Sequence, residues 1–129
     1  MIPGVLDLEI YQGDRYELFF LVRDEILDPV TQQWIADEYV DLTGYIARSQ
    51  IRDPQGAVVA EFTCTVVDQT AARGGVLCVL IPAQTKLLIT GVKYVWDVEL
   101  ESPEGPEYVE TYLAGKVTVT NEVTYVDTP

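Results

Sequence analysis

The sequence predicts an all-β protein: an antiparallel sandwich of about seven or eight strands with at most one short helix. Three observations carry this. Most segments alternate apolar and polar residues at period two, the pattern of strands with one buried face. Turn signals rich in Gly, Pro and Asp punctuate these segments every 8 to 12 residues, as in sandwiches and barrels. The longest segments pair an acidic face with an apolar one, which favours a sandwich.

The elements follow in order. Residues 5 to 11, VLDLEIY, place Leu6, Leu8 and Ile10 on one face, and Gln12-Gly13-Asp14 supplies a turn. In the next strand, RYELFFLVR, Tyr16, Leu18, Phe20 and Val22 share a face. Phe19 and Leu21 make its second face apolar, so this strand is expected to be covered on both sides. The pattern then breaks over residues 24 to 40, where Asp28-Pro29 marks a turn and Trp34-Ile35 forms an apolar island. This segment reads as a long loop or a protruding hairpin. Long connections in compact domains are often functional, so it is the expected place of partner contact; the competing reading is an insertion whose Trp34 folds back on the core.

Asp41 to Gly44 is a turn. It leads into a strand with Tyr45, Ala47, Ser49 and Ile51 on one face and Ile46, Arg48, Gln50 and Arg52 on the other. Asp53-Pro54-Gln55-Gly56 fits a type I turn into AVVAEFTCTVV. QTAARGG then closes a hairpin with VLCVLIP, which sets Cys64 and Cys78 nearly opposite each other. Residues 82 to 91 begin with Pro and end with Gly, and fit one or two helical turns. VKYVWDVELES alternates cleanly, with Val92, Tyr94, Trp96, Val98 and Leu100 inward. The final long strand, EYVETYLAGKVTVT, is interrupted at Gly115 as a bulge would interrupt it, and residues 120 to 129 are expected to form a C-terminal arm on a single domain spanning residues 1 to 129.

Composition narrows the function classes. The formal net charge is −13, which opposes attraction to nucleic acid and to anionic membrane surfaces. Residues 1 to 47 carry ten acidic and two basic groups and residues 97 to 129 carry eight and one, whereas residues 48 to 96 carry three acidic and five basic. The N-terminal stretch has no basic n-region or long apolar h-region, so synthesis in a cytoplasm is expected. There Cys64 and Cys78 favour buried free thiols, with a cross-strand disulfide the alternative.

The chain has no His, which removes Ser-His-Asp and Cys-His catalysis and the usual zinc ligand sets. Gly74-Gly75 stands alone and matches no phosphate-binding loop. Asp24, Glu25 and Asp28 are the closest approach to a local oxygen cluster but lack the spacing of a calcium loop. The expectation is therefore no enzyme, no catalytic residue, no cofactor, no metal and no small-molecule substrate.

Three phrases, YQGDRYELFFLVRD, VDLTGYIARSQIRDPQGAVVAEF, and GVKYVWDVELESPEG followed by LAGKVTVTNEVT, resemble a group of short tailed-phage and prophage structural proteins. In that group the same turn and strand phrases recur in the same order. The resemblance covers nearly all the chain outside residues 24 to 39. It implies an immunoglobulin-like β-sandwich similar to the N-terminal attachment domains of phage baseplate and tail-fibre proteins, which are scaffolds and adaptors. The longer 24 to 39 segment departs from the pattern, and no fibre or receptor-binding domain is expected after Pro129.

The function expected from this resemblance is a non-catalytic virion structural protein of the tail, baseplate, neck or capsid surface. It would be made in the bacterial host cytoplasm, sit in the virion in multiple copies within a symmetric assembly and contact other virion proteins. Trp34 and Ile35 are the candidate apolar anchors, with Arg48 and Arg52 orienting acidic groups at the rim. The alternative is a carbohydrate-binding or host-adhesion module, in which Trp34 and the tyrosines stack on sugars.

Overall fold

Period-two alternation appears directly as burial. Along the strand Tyr94–Glu101, Tyr94, Trp96, Val98 and Leu100 are buried, while the residues between them are exposed or half-buried. The computed structural model describes residues 4–121, without the side chains of residues 25–26 and 34–37. Residues 122–129, most of the expected C-terminal arm, lie outside the described residues, as do the side chains of Trp34 and Ile35. The strands are β1 (Gly4–Val5), β2 (Leu8–Tyr11), β3 (Tyr16–Leu21), β4 (Arg23–Leu27), β5 (Trp34–Tyr39), β6 (Ile46–Arg52), β7 (Val58–Val66), β8 (Gly75–Leu80), β9 (Tyr94–Glu101) and β10 (Val109–Thr120). The single helix among the described residues, α1 (Pro82–Thr85), is one turn long. It starts at a proline that has no N–H to satisfy, and its Gln84 side chain accepts the Ile81 N–H.

The fold is all-β, and its main sheet runs in the order β1-β10-β9-β6-β7-β8-β3, with β2 also paired to β10. The sheet is mixed, which corrects the purely antiparallel expectation. β1 and β2 both run parallel to β10, with Leu8 opposite Val117 and Ile10 opposite Val119. The reason lies in the turn after Tyr11. It does not close a hairpin between β2 and β3 but carries the chain across the core, leaving β2 on β10 and β3 on β8.

The sheet curls at β7. Residues Val58 to Phe62 pair with β6, and Thr63 to Val66 pair with β8, so one strand serves two parts of the sheet. Curling brings the far ends together around one core. Phe20 of β3 stacks on Tyr112 of β10 at 5.8 Å between ring centres, and Phe62 bridges Tyr16 and Trp96 at 6.3 and 6.2 Å. Such ring pairs contribute about 0.5–1.5 kcal/mol each beyond their area burial.

Two expectations are revised here. Phe19 and Leu21 are 51% and 38% exposed: only the face of β3 that carries Tyr16, Leu18 and Phe20 packs against the core, and the outer face is not fully covered. The irregularity in β10 lies between Thr111 and Leu113, not at Gly115. Gly115 serves close approach instead: a Cβ there would meet the Leu6 carbonyl oxygen at 2.1 Å. The Leu6–Asp7 link between β1 and β2 thus presses against β10, accepts the Trp96 Nε1–H at Leu6 O (2.7 Å) and the Lys116 N–H at Asp7 Oδ1 (2.9 Å).

Candidate functional site

Residues 24 to 40 form a hairpin. β4 and β5 pair antiparallel with each other and make a two-stranded sheet apart from the main one. Its tip is ordered by local chemistry. Asp28 Oδ1 accepts the Val30 N–H at 2.9 Å, and the backbone closes with Asp28 N–H to Gln33 O and Gln32 N–H to Asp28 O. That Val30 bond, with help from Thr31, holds the Asp28 carboxyl below its ordinary pKa. Gln32 takes a φ of 60°, a conformation that turns tolerate at some cost. The result is a preformed finger with Val30 87% and Leu27 45% exposed.

The finger's base is clamped to the main sheet. Val22 donates its N–H to Gly74 O, Val40 donates to Val22 O, and Arg73 Nε donates to Tyr39 O at 2.8 Å. Gln69 completes the clamp: its Oε1 accepts the Leu42 and Gly74 N–H groups, while its Nε2 donates to Val67 O and Gly75 O. Gly74 must be glycine, because at φ 84° a Cβ would meet Val22 O at 2.6 Å. The guanidinium of Arg23 lies 4.8 Å over the Tyr39 ring at the same junction. On the other side Tyr112 accepts the Arg23 N–H at its hydroxyl and donates to Leu21 O.

Between the finger's base and the 102–110 turn lies an open cleft of about 360 Å³, lined in part by Tyr45, Tyr108, Tyr112, Glu104, Glu107 and Asp24. Sequence reasoning missed this cleft and the Gln69 clamp. Both depend on residues brought together from distant segments.

The four residues singled out from sequence fall in two places. Trp34 and Ile35 lie in β5, opposite Leu27 and Ile26 of β4. Arg48 and Arg52 lie on the outer face of β6 and share a depression with Asp97 and Glu99, separate from the cleft at the finger's base. Arg48 is occupied within its own chain, bonding Glu99 and Glu101 at 2.9 Å each. Arg52 donates to Gly56 O and Gln50 Oε1, both at 2.7 Å. Next to it, burial and the neighbouring Glu99 charge push the Asp97 carboxyl above its ordinary pKa. Of the candidate oxygen cluster, Asp28 is turned into the finger tip, and the Glu25 side chain lies outside the described residues.

Among the described residues no group of three or more Cys, Asp or Glu side chains is placed to hold a metal ion. No described helix is long and apolar enough to cross a membrane. No protein-family model matches the chain, and no curated protein matches it in sequence.

Proposed function

We propose that this chain is a non-catalytic bacteriophage virion structural protein, a tail, baseplate, neck or capsid-surface component that acts by protein–protein assembly. The observation that carries the reading is the β4–β5 finger, a preformed hairpin clamped at its base and bearing apolar residues at its tip. A hairpin already formed before docking loses less conformational freedom on binding than an unstructured loop, so its apolar contacts convert more fully into affinity. The resemblance of the turn and strand phrases to phage structural proteins supplies the class. Those phrases fall on turns and strands of this fold: Gly44 and Gly56 hold φ values of 83° and 88° within them, and β9 is the phrase YVWDVELE.

The charge supports arranged contacts in a symmetric multi-copy assembly. A net charge of −13 repels identical neighbours unless apolar surfaces or unlike patches meet. The test is co-purification. Particles from a producing bacterial culture, banded on a density gradient, contain the chain by mass spectrometry and bind an antibody against it. A chain that stays wholly in the soluble lysate, with particles that are complete without it, overturns the proposal.

The cleft favours a second reading, a carbohydrate-binding or host-adhesion module. Tyr45 and Tyr108 with Glu104 and Glu107 offer rings for stacking beside hydroxyl-binding carboxylates. Glycan-array binding that is lost in Tyr108→Ala supports this alternative, and an array without signal removes it.

A further inference from the structure

Cys64 of β7 and Cys78 of β8 face each other in the strand register, and their Sγ atoms lie 3.3 Å apart as free thiols. Directly opposed residues of antiparallel strands have Cα atoms about 4.5 or 5.5 Å apart, depending on the pair type, and both values lie inside the window a disulfide spans. The sulfurs need to close by little more than 1 Å to reach the roughly 2.05 Å of a bond. Both residues sit on the inward side of their strands, yet their access differs: Cys78 is fully buried and Cys64 only partly.

We infer that Cys64 and Cys78 form an oxidation site, at which low-molecular-weight disulfides convert the dithiol into an intramolecular disulfide joining β7 to β8. The inference is independent of the assembly reading. The order of steps follows from the asymmetry. The two thiols share one hydrogen bond that either can donate; it draws the Cys64 thiol below its ordinary pKa, while that bond and burial push Cys78 up. The thiolate therefore forms on the sulfur that solvent reaches. Cys64 attacks one sulfur of the incoming disulfide and expels one thiolate, giving a mixed disulfide. Cys78 then attacks the Cys64 sulfur, and its proton passes to the second thiolate as that leaves. The protein gives up two hydrogens and two electrons, and the reagent is reduced to two thiols.

The cross-link would close residues 64 to 78 into a loop containing the Gln69 and Gly74 clamp, so it restrains the turn on which the finger's base rests. A reducing cytoplasm keeps the pair open, and an oxidising exterior closes it.

The test treats the folded protein with oxidised glutathione at mildly alkaline pH, quenches by denaturing alkylation and reads the intact mass. The expected product is lighter than the reduced protein by two hydrogens, takes up no alkyl group, carries no glutathione, and melts several degrees higher until dithiothreitol is added. Cys64→Ser is expected to stay unmodified, since Cys78 alone is shielded. A wild-type product that retains one glutathione, or that keeps both thiols free while the urea-unfolded chain oxidises in the same buffer, overturns the inference.

Discussion

Gln69 Oε1 accepts the Leu42 N–H at 2.9 Å, joining the turn between β7 and β8 to the segment just after the finger. The same oxygen takes the Gly74 N–H at 2.8 Å, so one part-buried side chain satisfies two backbone donors from opposite sides of the finger's base. Removing it strands both donors, and an unpaired buried donor costs about 1–3 kcal/mol. Gln69→Ala is therefore expected to lower stability in urea unfolding by that order, whereas Gln55→Ala, in an exposed turn, changes it little.

Gly115→Ala tests the close approach of the N-terminal link to β10. The added methyl would overlap the Leu6 carbonyl, which also receives the Trp96 indole N–H. Overpacking of this kind costs about 1–3 kcal/mol. The expected outcome is a drop in melting temperature together with a shift in Trp96 fluorescence as its hydrogen bond is lost. Unchanged stability would mean that the N-terminal strand does not run along β10.

Trp96 itself is 3% exposed and packs against Phe62, so Trp96→Ala is expected to cost about 3–5 kcal/mol by chemical denaturation. A loss under about 1 kcal/mol contradicts its placement in the core.

Two carboxylates predict opposite pH behaviour. Asp97 has a raised folded-state pKa, so folding favours its protonated form; its contribution is present at low pH and is lost as pH rises through the folded pKa. Asp97→Asn is expected to stabilise the protein at pH about 7, with the gain fading as pH falls through the raised folded value and gone below the ordinary Asp value near 3.9. Asp41 is the reverse. Hydrogen bonds from the Thr43 hydroxyl and N–H lower its pKa, so its contribution is present at neutral pH and is lost as pH falls through the lowered value. Asp41→Ala should therefore cost stability at neutral pH and less in acid. Melting curves of both variants across the acid range check the two signs.

Much of this fold was legible because strand burial has period two. Both faces of β6, the inward residues of β9 and the opposition of Cys64 and Cys78 follow from alternation and turn chemistry alone. Parallel pairing of the N-terminal strands was not legible, since alternation fixes which face is buried but not which neighbour lies alongside. Gly115 reads as a bulge in a lone strand and as a contact only once Leu6 is known to cross it. Phe19 shows the other limit: an apolar face implies cover, yet the outer face of β3 stays half exposed. For the site, the break at residues 24 to 40 located the finger, but nothing local revealed that Gln69, 29 residues beyond Val40, would brace it.

The most direct measurement concerns the finger as the contact element. Leu27→Asp with Val30→Asp places charge on two exposed side chains, so the isolated domain should keep its β circular-dichroism spectrum and its melting temperature. Incorporation of this variant into particles, measured against wild type in the same producing culture, is expected to fall by about 2 kcal/mol, roughly thirtyfold, as for loss of an apolar hot spot. A variant that folds normally and enters particles at the wild-type level contradicts the account.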